Sequence, residues 1–304
     1  MVKIVGILNV TPDSFSDGGK FYKITDAMKH AEKLISEGAD IIDVGGESSR
    51  PGSVVVEDVE EIRRVIPVIK EIKKRFPKIS VSVDTYKPNV ASEAIDNGAE
   101  IVNDIYGLRW SRSVTRGPLC PPCHEVGSEV SEPLLRRGGS SMADIVAQKK
   151  VSVIIMHMKG TPQDMQKNPE YKDVISEIYR FFKERLKFAK LKGIKKEKII
   201  LDPGIGFGKT LRHNLLIMKN LSEFRKLGQP VMVGPSRKSF ISGLLGSRDV
   251  STTDDVSNRL EGTIASSLYS VLNGADYLRV HDVLSIKRAL TVWNAISVGP
   301  PSAR

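Results

Sequence analysis

The amino-acid sequence predicts an α/β fold, a single-domain (β/α)8 barrel of the TIM type with a long inserted loop after the fourth strand. Short runs rich in β-branched residues recur eight times along the 304 residues, and helical patterns lie between most of them. The runs are continuous rather than alternating, which is typical of parallel strands covered by helices. Eight strand–helix units match a barrel, which needs roughly 250 residues. The alternative is a doubly wound sheet, which glycine-rich turns would suit, but the count of eight favours the barrel.

The strands can be placed from these runs. Three of them begin within similar short segments, EGADIIDV, NGAEIVND and NGADYLRV, in which a glycine ends a helix and a new strand follows. In chain order the predicted strands cover residues 3–10, 40–46, 79–85, 100–107, 151–158, 198–204, 230–236 and 276–282.

Three helices have the clearest periodicity. The first is predicted between Thr25, a candidate N-cap, and Gly38, a candidate C-cap. The second covers 56–76, where Pro67 is expected to kink the helix, and the third covers 173–192.

Residues 110–141 differ in composition from the rest of the predicted domain, which covers 1–296. They contain no Lys, Ile or Asp, and they hold both cysteines. The Cys-Pro-Pro-Cys-His run resembles a c-type haem attachment motif, although a barrel loop offers no axial-ligand context, and Cys120 and Cys123 would also suit a redox pair. The Pro, Gly and Ser content favours a third interpretation, a disordered insertion that binds neither metal nor haem. A short tail of similar composition covers 297–304.

Composition and charge narrow the functional class. Two cysteines in one local stretch do not make a disulfide framework, and no apolar run reaches the roughly eighteen residues that span a membrane. The N-terminus meets polar residues too early for a signal peptide, so a cytoplasmic protein is expected. The net charge of +10 would suit a nucleic-acid-binding protein, but aromatic residues make up only 6% of the chain. We expect no membrane or nucleic-acid partner, because small anionic substrates suit a basic chain equally well.

Residues 202–210, DPGIGFGKT, end like a phosphate-binding P-loop, whose pattern is G-x-x-x-x-G-K-[ST]. The first glycine of that pattern would fall at position 203, which is Pro203. A barrel also lacks the nucleotide-binding sheet that a P-loop serves. We therefore interpret the segment as the loop after the sixth strand, whose glycines let the backbone approach a ligand closely.

Polar side chains stand at the carboxyl end of every predicted strand, which is the active-site face of a barrel. A single such residue could be a helix cap or part of a turn, and His157, between two methionines, suits packing as well as binding. Polar residues at all eight ends are better explained by a ring around one cavity. The ring consists of Asn9, the run at 45–52, Asp84, Asn103 with Asp104, His157, Asp202, Ser236 with Lys238, and Arg279 with His281.

The ring combines three kinds of chemistry. A flat heterocycle with several N–H groups would suit the carboxylate and amide groups of Asp84, Asn103 and Asp202. A phosphate or carboxylate would suit the positive charges of Arg50, Lys238, Arg279 and His281. Asn9 and the carboxylates suit Mg²⁺ held together with a substrate phosphate. Zinc is not expected, because the ring contains no cysteine and no histidine pair at ligand spacing.

Around these residues the sequence resembles the dihydropteroate synthase family of pterin-binding barrels. The matching runs occur in order along nearly the whole chain, apart from about 110–141 and the last few residues. They are GILNVTPDSFSDGGKF (6–21), DVGGESSRPG (43–52), VSVDTYKP (81–88), IVND (101–104), MHMKGTP (156–162), LDPGIGFGKT (201–210), GPSRKSF (234–240) and LRVHDV (278–283). The resemblance implies a barrel, usually a homodimer, that joins 6-hydroxymethyl-7,8-dihydropterin diphosphate to p-aminobenzoate. The products would be dihydropteroate for folate synthesis and pyrophosphate, and sulfonamides would compete for the aminobenzoate site.

The resemblance also implies roles for individual residues. The pterin would be held by Asp84, Asn103, Asp202 and Lys238. The diphosphate would be held by Arg279, His281 and, through Mg²⁺, Asn9. The aminobenzoate site would be shaped by Ser49, Arg50, Phe207 and Ser236. Catalysis would involve Lys238, Arg279, His281 and Asp17, the last on a first loop that closes on substrate. Position 49 is more often threonine in the family, and Ser49 keeps the hydroxyl but loses a methyl group.

A barrel methyltransferase that uses a methylated tetrahydrofolate is the nearest alternative, because it shares a pterin pocket. Such an enzyme has no need of the Ser-Arg-Lys run at 236–238 or the Arg-Val-His run at 279–281. Both runs suit phosphate, so they favour the synthase.

Overall fold

The computed structural model describes residues 2–11, 20–109, 140–245 and 259–298. In this part of the chain eight parallel strands pair in the order β6-β5-β4-β3-β2-β1-β8-β7. An isolated bridge between Leu201 and Val231 joins β6 to β7 and closes the ring, so the predicted barrel is confirmed. The strands are β1 (Lys3–Asn9), β2 (Ile41–Gly45), β3 (Ser80–Asp84), β4 (Ile101–Asp104), β5 (Ser152–Met156), β6 (Ile199–Asp202), β7 (Met232–Val233) and β8 (Tyr277–Val280).

Both faces of the strands are buried, which explains the continuous apolar runs. The faces turned outward pack with the helices in one large core cluster that includes Leu8, Ile42 and Val83. The faces turned inward form a second cluster near the amino ends of the strands. This apolar inner layer consists of Val5, Ile41, Ile101, Ile154, Ile200 and Met232.

Helices connect the strands and cover the barrel. They are α1 (Lys20–Ser36), α2 (Asp58–Arg75), α3 (Pro88–Asp96), α4 (Met142–Lys149), α5 (Val174–Leu191), α6 (Leu211–Lys219), α7 (Leu221–Arg225), α8 (Ser239–Leu245), α9 (Leu260–Leu272) and α10 (Val283–Val298). Within the described residues, no helix combines the length and the apolar character that crossing a membrane requires.

The predicted helix ends are partly correct. Gly38 does follow the end of α1, with a φ of 99° that glycine adopts readily. The N-cap prediction for Thr25 is wrong, because α1 begins at Lys20 and Thr25 lies within it. Asp173 caps α5 by accepting hydrogen bonds from the backbone N–H groups of Ile175 and Ser176. Helix α2 continues through Pro67, and a kink at that residue stays a prediction.

Some of the predicted features lie outside the described residues. These are Asp17 with the rest of 12–19, residues 110–139 of the predicted insertion with Cys120 and Cys123, and the tail from 299 onward.

Candidate functional site

The strand register brings the predicted polar residues to one level at the carboxyl end of the barrel. Asn9 pairs with Gly45, Gly45 with Asp84, and Asp84 with Asn103. Asp202 ends β6 in the same way and pairs with Met156. The barrel interior therefore changes from the apolar inner layer to a polar layer at this level.

Arg279 connects the members of this polar layer. It pairs in register with Val5, lower in the barrel, and its side chain reaches two carboxylates. Its Nε donates to Asp43 Oδ2 at 2.6 Å, and its Nη2 donates to Asp84 Oδ2 at 2.6 Å. Such buried charges are tolerated only when they are paired and hydrogen-bonded, so these three side chains fix one another's positions.

Asp43 is the member of this centre that the sequence analysis missed. It is fully buried in the middle of β2, and its Oδ2 also accepts a hydrogen bond from Asn103 Nδ2 at 3.1 Å. A carboxylate within an otherwise apolar, buried strand is rare unless it has a specific partner. That signal, an Asp inside the run DIIDVGG, would have identified the residue from the sequence.

Two buried oxygen atoms beside this centre have no hydrogen-bond partner among the described residues, Asp43 Oδ1 and Asn103 Oδ1. Buried polar atoms without partners are rare in folded proteins, because their lost hydration is not replaced. Both atoms are acceptors, so a ligand that presents N–H groups to them would satisfy both.

Burial changes the acidity of the carboxyl groups in the polar layer. It raises the pKa of Asp84 to about 7, with Arg279 opposing the shift and Asp43 adding to it. Burial also raises the pKa of Asp202 to about 6, although the Gly204 N–H donates to Asp202 Oδ1 at 2.7 Å. Near neutral pH these carboxyl groups can therefore exchange a proton with a ligand at small free-energy cost.

Lys238 and Phe207 lie together above the polar layer. The Lys238 Nζ is 4.1 Å from the centroid of the Phe207 ring, within the range of a cation–π contact. Burial, helped by repulsion from Arg279, lowers the pKa of Lys238 to about 8. Phe207 also belongs to a buried apolar cluster with Tyr86, Tyr106 and Met156. The structure thus places a flat apolar wall next to a hydrogen-bond donor.

Ser236 and His281 form a separate pair at the ends of β7 and β8. The Ser236 Oγ lies 3.0 Å from His281 Nδ1 and accepts a hydrogen bond from the His281 backbone N–H at 3.2 Å. Burial lowers the pKa of His281 to about 3, and the charges of Arg237 and Arg279 add to the effect. This low pKa favours a neutral ring that can donate a hydrogen bond, and the expectation that His281 acts on the diphosphate as a positive charge stays a prediction.

The segment 202–210 does not function as a P-loop. Lys209 is 2% exposed, and its Nζ contacts His157 Nδ1 at 3.1 Å and donates to the carbonyls of His157 at 3.1 Å and Phe207 at 2.9 Å. Thr210 caps α6 by accepting a hydrogen bond from the His213 N–H. The lysine and threonine that would contact phosphate in a P-loop therefore stabilise the protein itself, and His157 has a packing role.

Two glycines of this loop, Gly204 and Gly208, are required by contacts within the protein. A Cβ at Gly204 would lie 2.1 Å from the His157 carbonyl oxygen, and one at Gly208 would lie 2.2 Å from that of Lys159. Both residues also have positive φ angles, of 69° and 64°. Their immediate neighbours are backbone atoms of the β5–α5 loop, so packing between the two loops requires these glycines, and close approach to a ligand stays a prediction.

Ser49 and Arg50 lie on the loop between β2 and α2, residues 46–57, which we call the rim loop. Arg50 is exposed, and its charge contributes to lowering the pKa of Lys238. The Gly52 N–H donates to the Pro162 carbonyl at 3.1 Å, which joins the rim loop to the β5–α5 loop. The rim loop therefore borders the polar layer from one side.

Asn9 is the residue predicted to hold Mg²⁺. The described residues contain no group of three or more His, Cys, Asp and Glu side chains that could hold a metal ion. A Cβ at Gly45 would lie 3.6 Å from Asn9 Oδ1 and 3.7 Å from Asp84 Oδ2, so the glycine leaves space between these two oxygen atoms. Mg²⁺ often takes one or two protein oxygens and completes its shell with phosphate and water. The donor set fits an ion that arrives with a diphosphate.

Comparison with known proteins agrees with this geometry. The family model described as Pterin binding enzyme matches residues 5–281. A dihydropteroate synthase from Clostridium beijerinckii is 43% identical over 294 residues, which cover 96% of this chain and 93% of that relative. The solved structure of a Xanthomonas albilineans dihydropteroate synthase with 4-aminobenzoic acid has a TM-score of 0.81 at 38% identity, covering 98% of this chain and 94% of that chain. Another from that organism, in complex with 7,8-dihydropteroate, has a TM-score of 0.78 at 36% identity, covering 98% and 95%.

The raised pKa of Asp202 predicts a pH dependence of stability. The folded protein binds this proton more tightly than the unfolded chain does, because the pKa rises from 3.8 to about 6. The carboxyl group therefore contributes stability that is fully present below about pH 4 and is lost as the pH rises through about 6. Melting temperatures of the wild type and an Asp202→Asn variant, measured from pH 4 to 8, should diverge over that interval in favour of the variant. A constant difference across the whole range would contradict the assignment.

Proposed function

This chain belongs to the pterin binding enzyme family, and from that premise we propose that it condenses 6-hydroxymethyl-7,8-dihydropterin diphosphate with p-aminobenzoate. The products are 7,8-dihydropteroate and pyrophosphate, so the protein is a pterinylmethyl transferase of folate synthesis. It acts in the cytoplasm as a homodimer. Sulfonamides, which resemble p-aminobenzoate, compete for its second substrate site.

The observation that carries this proposal is the pair of unpartnered buried acceptors beside the Arg279 centre, Asp43 Oδ1 and Asn103 Oδ1. A pterin ring is flat and presents several N–H groups on one edge, which matches acceptors on the barrel wall. Asp84 and Asp202 add carboxyl groups whose pKa values of about 7 and about 6 let them accept or share a proton with the ring. Lys238 supplies a donor to the ring's acceptor atoms.

The reaction makes simple demands on these residues. The C–O bond between the pterin methylene group and the diphosphate breaks, and a C–N bond to the arylamine forms. The amine loses one proton to solvent, and no strong general base is needed because an arylamine is neutral at pH 7. Positive charge develops on the methylene carbon, and the electron-rich pterin shares it. The role of Asp17 in stabilising this charge stays a prediction.

The leaving pyrophosphate carries negative charge that Arg279 and His281 would help to bind. The Nε and Nη2 atoms of Arg279 donate hydrogen bonds to carboxylates, so its Nη1 and its positive charge would act on the anion. His281 contributes an N–H group. Bound Mg²⁺ would neutralise charge on the diphosphate oxygens, with Asn9 as its protein ligand.

Direct measurement of p-aminobenzoate consumption tests the proposed reaction. We expect turnover only when the pterin diphosphate is present, with release of pyrophosphate. Replacing Lys238 by Ala should lower kcat/KM about tenfold or more, because buried partners of a heterocycle are then left unpaired. Lys226→Ala is the control, since this lysine is exposed and pairs only with Glu223 in the described part of the chain. No turnover by the wild type would contradict the proposal, and a fully active Lys238→Ala variant would contradict the role of that residue.

The Mg²⁺ site can be tested without catalysis. Pyrophosphate that binds the folded protein must raise its melting temperature, by about 2.7 kcal/mol of apparent stability at a hundred times Kd. We expect Mg²⁺ to increase this shift in the wild type, and we expect Asn9→Ala to lose only the Mg²⁺-dependent part. Measuring the wild type and Asn9→Ala, each with and without Mg²⁺, separates the effect of pyrophosphate alone from the additional effect of Mg²⁺. If the Asn9→Ala variant keeps the full Mg²⁺ effect, Asn9 is not a ligand of the metal.

The homodimer is supported by exposed apolar side chains on three consecutive helices, α8, α9 and α10. Exposure is 63% for Leu272 on α9, and 60% for Val292 and 78% for Ile296 on α10, while Leu244 and Leu245 on α8 are 54% and 61% exposed. Helices α9 and α10 pack against each other. Apolar patches of this kind are typical of surfaces that a second copy covers.

Light scattering should therefore give the mass of two chains. The double substitution Val292→Glu, Ile296→Glu should shift the protein toward one chain, because it places charge in the apolar contact. Leu191→Glu on α5 is the matched control, since Leu191 is equally exposed at 77% but lies on a different helix. A monomeric wild type, or a double variant that stays dimeric, would contradict this surface.

A further inference from the structure

A second buried ionic cluster lies outside the polar layer, under the rim loop. Its centre is Lys87, which is 4% exposed and follows β3 at the start of α3. The Lys87 Nζ donates to Glu47 Oε2, Glu61 Oε2 and the Val56 carbonyl oxygen, each at 2.5 Å. Burial lowers the pKa of Lys87, but the charges of Glu61 and Glu47 outweigh it and raise the pKa overall. The lysine is therefore a fully charged, three-coordinated centre.

Two of the three acceptors belong to the rim loop, and they lie at its opposite ends. Glu47 is near the start of the loop and Val56 is near its end. Glu47 Oε2 also accepts a hydrogen bond from the Val56 N–H at 2.9 Å, and Glu47 Oε1 accepts one from the Tyr86 hydroxyl at 3.0 Å. Lys87 and Glu47 together close the rim loop at its base and attach that base to the segment after β3.

The rest of the rim loop has little apolar anchorage. Val54 is 84% exposed, and Arg50, Pro51 and Gly52 are also exposed. A loop without buried apolar side chains gains its order from hydrogen bonds and ion pairs. Ser49 is half-buried beside the exposed Arg50, and besides the hydrogen bond from Gly52 to Pro162 the position of this stretch depends on the ionic base.

We propose that Lys87 and Glu47 are positioning residues, which set the affinity for p-aminobenzoate by fixing the rim loop that carries Ser49 and Arg50. The inference rests on the proposed function and deepens it. The segment 84–87 begins with Asp84 of the polar layer and ends with Lys87, so one short stretch of backbone connects the pterin side of the site to the base of the rim loop.

A matched pair of substitutions separates loop positioning from simple stability. Glu47 and Glu61 both accept from Lys87 at 2.5 Å, but Glu47 belongs to the rim loop whereas Glu61 belongs to α2. The variants Glu47→Gln and Glu61→Gln make the same chemical change around the same lysine. Only the first one removes a charge from the loop itself.

Steady-state kinetics of both variants provide the first measurement. We expect Glu47→Gln to raise the KM for p-aminobenzoate about tenfold while the KM for the pterin diphosphate and kcat change by less than about twofold, because ground-state binding at the loop is lost. Glu61→Gln should leave all three constants near the wild-type values and lower only the melting temperature. Equal KM values for p-aminobenzoate in the two variants would overturn the proposal.

Hydrogen exchange of the substrate-free proteins provides a measurement that does not depend on the reaction. Amides of residues 47–56 should exchange faster in Glu47→Gln than in Glu61→Gln or the wild type, with α2 and α3 unchanged. Lys87→Met should accelerate exchange in the rim loop in the same way if it folds. If it does not fold, the comparison of Glu47→Gln with Glu61→Gln is the test of the proposal. Unchanged exchange in the rim loop of Glu47→Gln would overturn the positioning role. A wild type without synthase activity would instead contradict the proposed function, while the exchange comparison still tests the loop.

Discussion

The geometry of the site depends on the two ion pairs that Arg279 makes with Asp43 and Asp84. A guanidinium and two carboxylates inside a barrel would each be strongly unfavourable alone, so each is held by the others. Their distances of 2.6 Å leave little freedom to any of the three side chains. Asn103 is bound to the same centre through Asp43. This arrangement fixes the directions of the two unpartnered acceptor atoms, Asp43 Oδ1 and Asn103 Oδ1. A ligand that binds here must therefore present N–H groups to them.

The barrel supports this centre by dividing its interior into two layers. Below, the apolar inner layer from Val5 to Met232 fills the space between the strands. Above, the pairing of Asn9, Gly45, Asp84 and Asn103 across neighbouring strands brings polar groups to one height. Sites built on strands are more rigid than sites built on loops, and a rigid set of acceptors loses little entropy when a flat ring binds. This arrangement suits the pterin, which must be held while a bond at its edge is exchanged.

The loops above the strands are held by different means. The loop after β6 packs backbone against backbone on the β5–α5 loop, which requires Gly204 and Gly208, and Lys209 joins the two loops through carbonyl oxygens. The rim loop lacks such packing and is closed at its base by Lys87 and Glu47. Rigid packing thus holds the loop that carries Phe207, and ionic closure holds the loop that carries Arg50. Together they would shape a second subsite next to the pterin.

The sequence by itself determined the barrel, because eight continuous β-branched runs leave few other ways to bury both faces of every strand. It also determined the carboxyl-end positions of Asn9, Asp84, Asn103 and Asp202, since parallel strands bring those ends to one face. Only the tertiary structure decided which charges meet. Asp43, Lys87 and Lys209 find their partners 236, 40 and 52 residues away in the chain, and no local pattern specifies such pairs. Burial likewise lowered the pKa of His281 and raised that of Asp84, because desolvation depends on everything that surrounds a group and not on its neighbours in sequence.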